Sequence, residues 1–196
     1  MIADAELFER WRGGDVRSGE TFARRHFGAL SRFFRNKVSG DVDDLIAETL
    51  LRVASRLDAF RGESTPRAFL FGVARLVLFE HYRMRDRARA IDFGVTSVHD
   101  LDPSPSQVVA KREELRLLHE ALRRIPLELQ VVLELLYWEQ ASTAEIAAII
   151  AIPVGTVKSR LHRARRALAA ALAPLEAREG VAADALAALD ALPAER

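Results

Sequence analysis

The chain has 196 residues, 49% hydrophobic and 29% charged, a balance typical of a soluble globular protein with one large domain or two small ones. Lys plus Arg number 29 against 28 Asp plus Glu, so the net charge of +1 says little about partners. Cysteine is absent, which excludes a disulfide framework, a Cys-ligated zinc site and a thiol nucleophile. Met1 to Glu6 carries two acids and no apolar run, so no signal peptide is expected. The apolar stretch Ile146 to Val154 falls far short of the roughly 18 residues that cross a bilayer, and a cytoplasmic location is expected.

Charge is distributed unevenly. Residues 1–91 hold 17 basic and 13 acidic side chains, and residues 92–110 hold three acids and no base. Residues 111–173 hold ten bases and seven acids, and residues 174–196 two bases and five acids. Two basic modules, 1–91 and 111–173, are therefore expected, with an acidic Pro/Ser-rich linker at 92–110 and an acidic Ala/Leu-rich tail at 174–196. The linker, with Gly94, Pro103 and Pro105, has no sustained helical period and is expected to bury little. No period-two pattern persists, whereas Ile46, Leu50, Val53 and Leu57 recur at helical spacing, as do Val157, Leu161, Ala164 and Leu168. The fold class is all-α: two small helical domains joined by a flexible linker.

Helices are predicted over about 4–12, 19–38, 41–59 and 65–89. Asp41 is a candidate N-cap for the third. Asp43, Asp44 and Glu48 suit the positive end of its dipole. Asp44, Glu48, Leu51 and Ser55 also share a face away from the apolar stripe, as a helix with a basic partner would require. Phe60 to Pro66 reads as a polar turn in which Thr65 caps the fourth helix and Pro66 takes its first position. That helix is apolar on nearly all sides from Phe69 to Phe79, which predicts a central place in its bundle. It ends in Arg83, Arg85, Arg87 and Arg89 beside Phe79, His81 and Tyr82. The arginines suit either the negative end of the helix dipole or a nucleic-acid phosphate surface.

The second module breaks at Pro126 and then carries Val131, Val132, Leu135 and Leu136 on a helix. Ser142 or Thr143 with Glu145 forms a capping box, Ala151 to Gly155 a short turn, and a further helix starts at Thr156. Two helices so spaced make a helix-turn-helix. Opposite the packing stripe of the second lie Ser159, His162, Arg163 and Arg166, flanked by Lys158, Arg160 and Arg165. Five bases and no acid between 158 and 166 leave no i,i+4 pairs, so this face calls for an anion. In a DNA major groove Arg163 or Arg166 would read guanine, while Lys158, Arg160 and Arg165 would hold phosphates. A basic solvated helix and an RNA contact are the other readings of these residues.

RIPLELQVVLELLYWE, STAEIAAII and IPVGTVKSRLHRARRAL together resemble the −35-reading module of bacterial RNA polymerase sigma factors, and among them the extracytoplasmic-function (ECF) group of the sigma-70 family. DVDDLIAETLLRV resembles the group's polymerase-binding helix, and STPRAFLFGVARLVLFEHYRMRDR its −10 helices. The resemblance spans about residues 5–172. It implies that residues 1–91 correspond to sigma region 2 and residues 111–173 to region 4. It implies core RNA polymerase as partner, with Asp44, Leu45 and Glu48 on the clamp helices of its largest subunit and a further contact at the flap. Phe60, Arg61 and Gly62, in the loop to Pro66, would capture a melted −10 base. Glu80, His81, Arg83 and Arg87 would meet the duplex edge of that element. Lys158, Ser159, Arg160, His162 and Arg163 match −35-contacting positions, and promoter DNA and an anti-sigma factor are the further partners implied. Ala47, Leu50, Phe69, Leu76 and Ala151 stand where the family usually has Gln, an aromatic, Trp, Asn and Gly. His26, His81, His99, His119 and His162 are scattered, without catalytic or metal-ligand spacing, so neither an enzyme nor a metal or other cofactor is expected. The alternative is a stand-alone helix-turn-helix transcriptional regulator, which binds duplex DNA without polymerase.

Overall fold

The structure, a computed structural model, describes residues 2–87, 90–102 and 113–179. The described residues contain helices and no strand. In the first half these are α1 (Asp4–Arg12), α2 (Val16–Arg35), α3 (Val42–Ala54), a single 3-10 turn at Leu57–Ala59, and α4 (Pro66–Arg85). Local chemistry sets most of the starts. The Asp15 carboxylate accepts from the backbone N–H groups of Arg17 and Ser18, and Thr65 accepts from that of Ala68 with Pro66 following it. Asp41 occupies the expected N-cap of α3, but it adopts a left-handed backbone (φ 55°) and its side chain makes no cap bond. Its carbonyl still accepts the first intrahelical bond, from Leu45.

α5 (Val98–Leu101) is one turn, and α6 (Glu113–Arg124), α7 (Leu127–Tyr137), α8 (Thr143–Ile150) and α9 (Val154–Glu179) form the second half. α9 is longer than the sequence suggests. It continues past Pro174 into the expected tail because Leu168, Leu172 and Leu175 prolong its buried stripe. The rest of the acidic tail, and 103–112 of the linker region, lie outside the described residues.

The expectation for the linker fails between residues 92 and 102. Phe93 is buried and stacks on Phe79 with ring centroids 4.2 Å apart. Val98 and Asp102 are fully buried. The Phe93 and Thr96 carbonyls accept from Glu128 and Leu127, which ties the segment to the start of α7. A capping box of Ser97 and Asp100 starts α5. Without a long period, a segment this short still reaches the core through two well-placed apolar side chains.

Buried apolar residues from both halves form one continuous core. α4 explains this. One side packs on α3 and the other on α8. An added Cβ on Gly72 would come within 3.5 Å of the Ile149 carbonyl oxygen, so the two backbones run close there. α4 also touches α1 and α2, so its all-round apolar character serves both the expected central place in its bundle and a helix shared with the second module.

Candidate nucleic-acid interface and acidic docking face

The helix-turn-helix consists of α8, the turn at 151–153 and α9. Ser142 accepts from the Glu145 N–H while the Glu145 carboxylate accepts from that of Ser142, completing the capping box. The chain leaves α8 through Ala151, whose φ of 54° is left-handed. Val157, Leu161, Ala164 and Leu168 are buried against α6 and α7. Lys158, Ser159, His162, Arg163 and Arg166 consequently stand exposed along the opposite side. No acid interrupts α9 before Glu176.

Two of the basic side chains are held. Arg160, half-buried, pairs with the Glu128 carboxylate at 2.9 Å. Arg165 lies over the Tyr137 ring and donates through Nε to its hydroxyl at 2.9 Å. The arrangement offers an anion a row of guanidinium and ammonium groups, three of whose members are free to reorient and two preset by neighbours.

In the first half, Arg61 and Gly62 are exposed, and Gly62 has φ 72°, which favours glycine. Phe60 is buried instead, packed edge-on against Phe8 and tilted against Phe69. It lines an open pocket of ≈ 330 Å³ together with Ala59, Arg61, Glu63, Ser64 and Phe69. Aromatic rings lining a pocket beside polar groups can stack a planar base.

At the far end of α4, Arg83, Arg85 and Arg87 are exposed, and Arg89 lies outside the described residues. Arg83 lies over the Phe93 ring and Arg85 reaches Asp102 at 3.3 Å. Glu80 is engaged with Arg52, which also holds Glu48. His81 is half-buried, and its Nε2 has no hydrogen-bond partner. Burial, helped by nearby Arg85, lowers its pKa and favours the neutral ring.

The acidic face of α3 carries exposed Asp44, half-exposed Glu48 and Leu51, the last 66% exposed. Leu45 departs from its expected role. It is only 8% exposed because it completes the buried side of α3 with Ile46, so Leu51 is the apolar side chain this face presents. Ala47 is exposed on the same helix.

Several interacting residues were not visible in the sequence pattern. Arg75 lies over Phe79 and shares Glu128 with Arg160. Lys37, fully buried, pairs with Glu134. Arg32 and Arg67 both reach Glu139. Each of these ion pairs joins residues distant in the chain, and no local spacing marks such a pair.

Two family models match the chain: "Sigma-70 region 2" over residues 20–88 and "Sigma-70, region 4" over residues 115–168. The RNA polymerase sigma-H factor of Pseudomonas aeruginosa is 29% identical over 187 residues, covering 88% of this chain and 95% of its own. The ECF RNA polymerase sigma-E factor of Escherichia coli is 27% identical over 186 residues, covering 89% and 97%. Among solved structures, CnrH in complex with the cytosolic domain of CnrY matches at TM-score 0.66 and 26% identity, covering 87% of this chain and 97% of that one. The sigma factor RpoE of Bartonella quintana, in complex with the anti-sigma factor NepR, matches at TM-score 0.58 and 25% identity, covering 78% and 97%. With both sigma modules in order along one chain, a helix-turn-helix closing the second and full-length ECF relatives, the chain belongs to the ECF group of the sigma-70 family.

Proposed function

We propose that this protein binds core RNA polymerase in the cytoplasm and directs promoter-specific initiation of transcription. The observation that carries it is the acid-free basic face of α9, displayed by a helix-turn-helix on the same chain as a region 2 module. The functional units are residues 1–91 and 111–173, with 92–110 between them and 174–196 as tail. Asp44, Glu48 and Leu51 dock on the polymerase clamp. The pocket over Phe60, with Arg61 and Gly62 at its edge, takes a base of the melted −10 element and so offsets the cost of unstacking it. Arg83 and Arg87, with Glu80 and His81 nearby, meet that element's duplex edge. Arg163 and Arg166 read −35 base edges with His162 and Ser159, while Lys158, Arg160 and Arg165 hold phosphates. The work is binding, and no residue acts as a catalyst. CnrH and the Bartonella RpoE are held by partner proteins in their structures; an anti-sigma factor is proposed here on that likeness.

The test is in vitro transcription with core polymerase on a promoter library, with and without the protein. Discrete start sites sharing motifs near −35 and −10 are the expected result. Duplex binding without core and no new starts would instead establish the stand-alone regulator.

A further inference from the structure

We propose that α1 is a brace for the base pocket at Phe60, with Phe8 and Arg12 as its positioning residues. The inference rests on the promoter function proposed above and adds a part that α3, α4 and α9 do not supply.

α1 lies ahead of the residues that match region 2, and two of its side chains converge on Phe60. Phe8 is fully buried and meets three rings edge-on: Phe22, Phe69 and, with centroids 4.8 Å apart, Phe60. Phe60 and Phe69 are the two aromatic rings of the pocket, so Phe8 packs against both. One turn further along, the Arg12 guanidinium donates to the Phe60 carbonyl at 3.3 Å. Ring and main chain of one pocket residue are thus held from the same helix.

The loop has little else to hold it. Among the described residues, no backbone N–H between Arg61 and Ser64 donates to a protein acceptor. Arg61, Gly62 and Glu63 are exposed. Order reaches the loop from its two ends, the Thr65 cap of α4 and the Phe60 contacts of α1. A pocket wall already in place takes a base without an ordering cost, and capture of the base is what offsets its unstacking.

A helix of nine residues at the start of a chain would fray by itself. Two anchors on α2 prevent this. At the start of α1 the Asp4 carboxylate accepts from Arg25 and meets His26 Nε2 at 2.7 Å. Near its end the Trp11 ring lies on Gly19, so close that a Cβ there would come within 2.5 Å of the ring. Glycine inside a helix costs stability, and here the missing side chain is what seats Trp11. The contacts to Phe60 therefore come from a fixed support.

Two variants release the brace by different routes. Arg12→Ala removes the bond to the Phe60 carbonyl. Gly19→Ala displaces Trp11, and α1 with it, without changing charge or lowering helix propensity. In each full-length variant, trypsin cleavage after Arg61, followed by mass spectrometry, is expected to run several-fold faster than in the wild type. With core polymerase at saturation, transcription from a duplex promoter is expected to fall about tenfold. From the same promoter with its −10 element held open by mismatches, the fall is expected to be less than about twofold. Affinities for core and for an isolated −35 duplex are expected to stay within about twofold, which reports intact folding. Should Gly19→Ala lose both affinities and so prove unfolded, Arg12→Ala, at an exposed position, carries the same expectations. Unchanged cleavage, unchanged transcription, or an equal loss on the two templates overturns the brace. Absence of transcripts from the wild type on both templates overturns the promoter reading itself, while cleavage after Arg61 still decides whether α1 holds the loop.

Discussion

Arg163 and Lys158 stand on the same exposed side of α9, yet their chemistry separates their roles. Arg163→Ala is expected to weaken −35 binding by about 1–3 kcal/mol and relax preference at one base pair. Lys158→Ala is expected to weaken all sequences alike and lower the salt slope by about 1. Titration of duplex variants at several salt concentrations checks both. His119 responds to pH. Its Nδ1 is buried without a hydrogen-bond partner, and burial, reinforced by the Lys37 charge, lowers its pKa to about 4. Between that value and the ordinary 6.5 the unfolded chain binds more protons than the folded one. Stability is therefore fully present above about pH 6.5 and is lost as pH falls toward 4, by up to about 3 kcal/mol from this group. Burial lowers the pKa of His26 as well, despite its bond to Asp4, and adds loss of the same sign. Urea unfolding of the wild type and His119→Leu at pH 7 and pH 5 checks this: the variant should show the smaller drop.

At the scale of elements, the helix-turn-helix shows local signals and local strain side by side. The reciprocal bonds of Ser142 and Glu145 make the start of α8 readable from four residues. Its end is held by Ala151 in a left-handed conformation, where a Cβ is unfavourable. Ala151→Gly removes that strain and is expected to stabilise the protein by about 1 kcal/mol, after the larger backbone entropy of glycine in the unfolded chain is counted. A rise in Tm of about 2–4 °C, with −35 binding unchanged, is the outcome to measure. α9 also has support from neighbouring elements. Tyr137 of α7 orients Arg165 and Glu128 orients Arg160, so two of its basic groups are positioned by the helix behind them.

For the whole molecule, the shared core sets the expectation. Two modules separated by an unpacked linker would unfold independently. Here α4 is buried between α3 and α8, and Phe93 and Val98 from the intervening segment join the same cluster. Chemical unfolding is accordingly expected as one transition, with fluorescence of Trp11 in the first half and Trp138 in the second changing together. Trp11→Phe and Trp138→Phe variants separate the two signals, and two distinct midpoints would refute a common unit. Lys37→Glu, which sets a second carboxylate against Glu134 between the two halves, should split the transition.

Helix content, the turn-helix signature and the basic face of α9 are properties of neighbours in the chain, and the sequence alone determined them. Period, capping residues and the absence of acids act within a few turns, so they can be read without knowing what lies across the core. The burial of Leu45 and Phe60, the ordering of residues 92–102, and the pairs Lys37–Glu134, Arg67–Glu139 and Arg75–Glu128 were decided only by tertiary structure. Each depends on which residue from a remote segment arrives to cover an apolar side chain or neutralise a charge. Lys37 is the plainest case. In the sequence it is one cation among the 29 of the chain, and a solvated one by default. It is buried because a carboxylate 97 residues away meets it there, compensating a desolvation that no local pattern could have offset.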